Sequence, residues 1–266
     1  MIKFVAICPH PPLIIPGIGK ENDLKYVDNT IKAMQQLAHD ISDRQIDTIL
    51  IVSPHGLIYP DRMNICYGGE FAGDFSQFSA KNICLDFLSN DKLANAISKH
   101  AQENGILTNE NTENYELDHG VMVPMYYLAK HLPEDIKIIP INYSYQDINT
   151  HFKFGQLIRE VCESEIFTQK NIALIASGDM SHRLFEGEIG KQFDKKIQND
   201  LSTNNTFEIL NYDPDWLEQA GECGYRSIVI LLGAIDGLKY SPKILSYEGP
   251  FGVGYLVANM QIGQDK

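Results

Sequence analysis

Short, mostly apolar runs spaced along the chain, with helical stripes between them, constrain its fold more than any other feature. Residues 4–8, 48–52, 136–141 and 172–176 are runs of five or six residues, mostly Ile, Leu, Val and Ala. That length suits a strand buried on both faces rather than a helix. Between the first two, Leu24, Val27, Ile31, Met34, Leu37 and Ile41 repeat at helical spacing and predict a helix over residues 23–41. Strand, helix, strand is the unit of a parallel sheet with a right-handed crossover. The predicted fold is therefore α/β: a single domain over residues 1–266, with a central, mostly parallel sheet flanked by helices on both faces.

Further helices are predicted over residues 91–104, ended by Gly105, and from Asp118 as N-cap to Lys130. Pro124 is tolerable there only close to the first turns. Others follow at 152–162, 191–201 and 223–235, and the last strands at 244–247 and 253–258. Residues 60–82, rich in Gly and Phe, read as an irregular segment. Its Phe71, Phe75 and Phe78 suit pinning a loop to the core better than walling a flat ring. Tyr126 and Tyr127 read as core.

An open parallel sheet gathers its ligands beyond the carboxyl ends of its strands. Three of the eight histidines fall just there: His10 in Cys-Pro-His-Pro-Pro, His55 in Ser-Pro-His-Gly and His182 in Ser-Gly-Asp-Met-Ser-His. A fourth, His119, lies in Leu-Asp-His-Gly. One histidine in a proline turn is usually only a turn residue; several at strand ends of one chain point to a metal centre. Two imidazoles and a carboxylate suit iron(II) with open coordination positions, whereas a tetrahedral arrangement suits zinc and a hydrolytic water. Asp118 and Asp179 stand near these imidazoles and either fix their tautomers or cap a turn or helix.

Other classes are disfavoured. The net charge of −13 without a basic run argues against nucleic acid and anionic membrane. Five widely spaced cysteines without a C-x-x-C pair suggest neither a disulfide framework nor a zinc knuckle, and fit a reducing compartment. The N-terminal apolar run is too short for a signal peptide and no stretch approaches a membrane span, so a cytoplasmic protein is expected. Gly249–Gly254 precedes a strand, not a helix, and makes no phosphate cradle. The serines lack a nucleophile elbow.

Several motifs together resemble the LigB-like group, the catalytic subunits of class III extradiol ring-cleavage dioxygenases, and their relatives the Memo proteins. They are Pro9-His10-Pro11-Pro12, Ser53-Pro54-His55, Leu117-Asp118-His119-Gly120 and Ser177-Gly178-Asp179-Met180-Ser181-His182, with Glu222-Cys223-Gly224-Tyr225-Arg226-Ser227 and the run from Tyr247 to Tyr255. The likeness is greatest to the LigB-like module of the AmmeMemoRadiSam group, whose fused second domain is not expected here.

The resemblance implies an iron(II) site on His10, His55 and a late glutamate. That glutamate corresponds to Glu222, where a helix N-terminus favours a carboxylate. Memo proteins place a cysteine there instead, which would be Cys223; Glu248 is a third candidate. His182 corresponds to the family's acid–base and His119 to a histidine beside the metal. The implied reaction is oxygen-dependent cleavage of a small aromatic diol by Fe(II). The alternatives are a Memo-like accessory protein with AmmeMemoRadiSam partners, and Zn(II)-dependent hydrolysis on the same ligands. A homo-oligomer is left open. A deep cavity above the metal would favour catalysis, a closed or shallow site an accessory role.

Overall fold

The computed structural model describes residues 1–111 and 116–263. The chain runs β1 (Ile2–Cys8), α1 (Glu21–Tyr26), α2 (Asp28–Ser42), β2 (Thr48–Ser53), β3 (Met63–Cys66), β4 (Glu70–Phe75), β5 (Ala80–Ser89), α3 (Asp91–Glu103), β6 (Thr108–Asn111) and α4 (His119–Leu128). It continues through β7 (Lys137–Asn142), α5 (Ile148–Glu163), β8 (Ile172–Ser177), α6 (Glu188–Ser202), α7 (Thr206–Leu210), α8 (Pro214–Ala220), α9 (Tyr225–Ala234), β9 (Tyr240–Glu248) and β10 (Tyr255–Ile262).

One sheet holds these strands in the order β4-β5-β7-β2-β8-β1-β10-β9, with β3 joined to β7 and β6. The middle, from β5 through β7, β2 and β8 to β1, is parallel throughout. The closing pair β9 and β10 and the hairpin β4–β5 are antiparallel. Alternate residues of each central strand serve two separate cores. Val5, Ile7, Leu50, Val52, Leu174 and Ile139 meet apolar faces of α3, α5, α6 and α9. Phe4, Ala6, Ile49, Ile51, Ala173 and Ile138 meet α2 and α4. Burial on both faces is why these strands read as continuous apolar runs. Among the described residues, no helix is long and apolar enough to cross a membrane.

Three details depart from expectation. The helix foreseen over residues 23–41 is broken at Val27, whose φ of −120° and ψ of 24° leave the helical region. The segment at 60–82 is mostly strand: β3, β4 and the start of β5, with Phe71 and Phe75 fully buried. Its alternation of Phe71, Gly73 and Phe75 has the period of a strand. Asp213-Pro214-Asp215, which reads as a turn by composition, instead starts α8, with Asp213 accepting from Asp215 N and Trp216 N and Pro214 in the first turn.

Candidate metal centre

Parallel pairing of β1, β2 and β8 brings Cys8, Ser53 and Ser177 to one end of the sheet, and the turns beyond them converge. His10 is buried and donates its backbone N–H to Asp179 Oδ1 at 3.0 Å. Its ring Nδ1 lies 3.0 Å from Ser177 Oγ, and Ser177 Oγ in turn donates to the carbonyl of Gly120. The far nitrogen, Nε2, is 2.9 Å from His55 Nε2 and 3.6 Å from Cys223 Sγ. These three ligand atoms all lie within 4.8 Å of one another, His10 buried, Cys223 half-buried and His55 exposed.

Cys223 arrives from another part of the chain through a close backbone approach. The loop after β8 and the turn before α9 touch at Gly178 and Gly224; a Cβ on Gly178 would stand 2.1 Å from Gly224 Cα. Cys223 N and Gly224 N donate to Asp179 O at 3.3 and 3.0 Å, and Asp179 N donates to Cys223 Sγ at 3.2 Å. An N–H aimed at the sulfur favours a thiolate.

The other expected residues are placed as follows. Glu222 accepts from Tyr225 N at 2.6 Å in the first turn of α9 and stands outside the ligand cluster. The neighbouring Cys223, one of the alternatives the sequence offers, is the residue that joins His10 and His55 in the candidate cluster. At a helix start, a one-residue shift turns a side chain to a different direction. Glu248 is further still, capping α2 through Thr30 N and Thr30 Oγ1, both at 2.7 Å. His119 stacks on His55 with ring centroids 4.1 Å apart. His182 is close enough for the His55 charge to disfavour its own and for its charge to disfavour that of His10, and its backbone N–H reaches Gly221 O at 3.2 Å. Phe78 stands edge-on to His119 at 5.6 Å, so one phenylalanine of the three edges the site.

Asp118 caps α4 through Val121 N and accepts from Ser53 Oγ at 2.6 Å, so it ties the end of β2 to the helix carrying His119. Gly120 is required beneath this junction, since a Cβ there would meet Ser53 Oγ at 2.3 Å and His55 Cδ2 at 3.4 Å. Two anchors escaped the motif reading. The partner of the His10 ring is Ser177, while Asp179 takes the backbone. Asp194, buried on α6, accepts from Ser181 N at 2.8 Å and Tyr247 Oη at 2.6 Å and so holds the loop bearing His182. An acid on the stripe of Phe193, Ile197 and Leu201 was the available signal. The Gly249–Gly254 segment docks that loop as well, through Met180 N to Gly254 O, Gly254 N to Ser181 O and Leu184 N to Gly252 O.

Burial dominates the electrostatics. It pushes the His55 imidazole down to about 4 and His10 well below its ordinary value, with neighbouring imidazoles adding to the effect. His119 and His182 are lowered for the same reason. Burial raises Asp179 and Glu222 to about 7 and the Cys223 thiol well above its usual range. The cluster is thus neutral by itself: bare imidazoles and a thiol in a half-closed site, which only a cation would turn into a strong donor set.

The donors fit a transition metal. Bonds of about 2.0–2.1 Å to nitrogen and 2.3 Å to sulfur would set a sulfur and a nitrogen on one tetrahedral ion about 3.6 Å apart, and two nitrogens about 3.3 Å apart. The observed separations are 3.6 and 2.9 Å. Two clefts lie away from these residues. One of about 950 Å³ opens at the opposite ends of the strands, by Thr48, Asn90 and Lys137, and one of about 580 Å³ by Leu184, Phe185 and Tyr247.

An α/β sheet with a His-His-Cys cluster at its strand ends forms a candidate metal-binding site. Residues 4–258 match the family described as the catalytic LigB subunit of aromatic ring-opening dioxygenase, and the chain belongs to that family. Protein CA_C1420 of Clostridium acetobutylicum is 36% identical over 270 residues, covering 96% of this chain and 56% of its own length. A MEMO1 family protein of Methanosarcina mazei is 26% identical over 132 residues, 49% of this chain and 46% of its own. The chain thus spans about half the length of the curated relatives it matches. The crystal structure of the uncharacterized Escherichia coli K12 protein JW3007 has the same fold, with a TM-score of 0.68 at 15% identity, covering 97% of this chain and 99% of that one.

Proposed function

We propose that this chain is a Memo-type metal-binding member of the LigB family, in which His10, His55 and Cys223 hold one transition-metal ion. The observation that carries this reading is the identity of the third donor: a cysteine sulfur stands 3.6 Å from His10 Nε2, while Glu222 is engaged with its own helix. A thiolate with two imidazoles is a softer set than the two-histidine, one-carboxylate triad, and favours zinc or copper as well as iron. A bound ion would supply Lewis acidity or one-electron redox chemistry. The chain's own residues prepare its surroundings: neutral His119 and His182 can each accept a proton from a hydroxyl group brought to the exposed side of His55. The likeness to a MEMO1 family protein supports an accessory role alongside AmmeMemoRadiSam partner proteins more than processing of a free small substrate.

A second reading is Fe(II)-dependent extradiol cleavage of a small aromatic diol with O2. It is supported by the family assignment and by two neutral imidazoles close to His55. One experiment separates the two. Protein is loaded anaerobically with Fe(II), its metal content measured, and a catechol panel offered with oxygen uptake followed. Full loading with no uptake is expected; sustained uptake with a yellow ring-opened product would establish the second reading and overturn the first.

A further inference from the structure

Ser177 belongs to none of the roles given above to ligands or bases, yet it lies at the junction of three elements. It ends β8, it is fully buried, and its hydroxyl stands between the ring of His10 and the carbonyl of Gly120 in α4. A serine hydroxyl has one proton. A carbonyl oxygen has none, so the contact between Ser177 Oγ and Gly120 O is a hydrogen bond only if Ser177 supplies that proton. Having given it to Gly120, the hydroxyl can only accept from His10, so Nδ1 must carry the imidazole proton. The other nitrogen, Nε2, is then left with its lone pair facing His55 and Cys223.

The cause of this arrangement is one turn further along α4. In a helix the carbonyl of residue 120 accepts from the N–H of residue 124. Residue 124 is proline, inside the helix, and has no N–H. Gly120 is buried, and its carbonyl would be orphaned, which is destabilising. Ser177 fills that vacancy.

We propose that Pro124, Gly120 and Ser177 form a tautomer lock: the proline withholds a helical donor, the freed carbonyl takes the serine proton, and the serine oxygen obliges His10 to present a bare Nε2 to the metal. Ser177 is a positioning residue, acting through His10. The inference deepens the metal-binding reading and rests on it only for metal affinity, since the tautomer is a property of the metal-free protein.

The test uses 15N-histidine-labelled metal-free protein, in which long-range 1H–15N correlations distinguish the two neutral forms of each ring. The wild type is expected to hold His10 as Nδ1–H. Ser177→Ala should let the Nε2–H form appear and weaken Zn(II) binding by about 10–100-fold, with Ser177→Thr restoring both. Pro124→Ala supplies the missing N–H. It should raise the melting temperature yet loosen the tautomer and weaken Zn(II), a pairing of opposite signs that a merely structural role would not produce. Retention of the pure Nδ1–H form in Ser177→Ala overturns the proposal, and its retention in Pro124→Ala alone removes the proline from it. Should the tautomers respond as expected while the wild type binds no Zn(II) or Co(II), the lock stands and the metal-binding reading falls.

Discussion

Gly178→Ala would drive a Cβ to 2.1 Å from Gly224 Cα and 2.9 Å from Gly224 N, both backbone atoms that cannot rotate away. Carbon atoms rest comfortably at about 3.5 Å, so the two loops must part by about 1.4 Å. Three backbone N–H groups donate across that seam: Cys223 N and Gly224 N to Asp179 O, and Asp179 N to Cys223 Sγ. At about 1 kcal/mol each, their loss costs about 3 kcal/mol, which for a chain of this size lowers the melting temperature by about 6–12 °C. Metal–ligand distances tolerate only about 0.2 Å, so Cys223 should leave the coordination sphere although its thiol is intact. Titration with Co(II), followed by the sulfur-to-cobalt charge-transfer absorption, reads this directly. Gly69→Ala is the control. Its φ of +89° makes any side chain strained, yet a Cβ there meets nothing within 4 Å, so it should lose about 1–2 kcal/mol and keep the absorption. A full thiolate band and an unchanged melting temperature in Gly178→Ala would refute the account of how Cys223 is delivered.

Two further outcomes are expected. Cys223→Ala should abolish stoichiometric Zn(II) binding in calorimetric titration, whereas Glu222→Gln should leave it within about tenfold of wild type; the reverse order would restore the glutamate as ligand. Asp194 should make stability depend on pH. Burial raises its folded-state value from 3.8 to about 6, so its contribution is fully present below the unfolded value and is lost as pH rises through about 6. This corresponds to about 3 kcal/mol. Asp194→Asn should therefore gain on the wild type by about that amount between about pH 4 and pH 7.5 in denaturant melts, and parallel pH profiles for the two proteins would contradict it.

The central sheet was legible because both faces of β1, β2, β7 and β8 are buried, which leaves an unbroken apolar run in each strand. Convergence of His10 and His55 followed from parallel pairing, since β1 and β2 both run parallel to the β8 between them and end on the same edge of the sheet. The hairpin β4–β5 was hidden by its composition: glycines at 68, 69 and 73 suggest a loop, and Gly73 is small because Leu117 and Met122 press on it. The choice between Glu222 and Cys223 could not be read from spacing. It turns on the rotation of the chain entering α9, and that is set by the contact of Gly178 with Gly224, residues 46 positions apart. Ser177 was passed over because a serine at a strand end has no distinctive pattern. Its importance comes from Pro124, a residue on another element whose missing N–H is felt only after the fold brings them together.

X-ray absorption at the metal edge of Zn(II)-loaded protein asks most directly what binds the ion. One sulfur at about 2.3 Å and two imidazole nitrogens at about 2.0–2.1 Å, with the sulfur lost in Cys223→Ala, is the predicted first shell. A shell of nitrogen and oxygen alone, unchanged in that variant, would contradict a centre built on His10, His55 and Cys223.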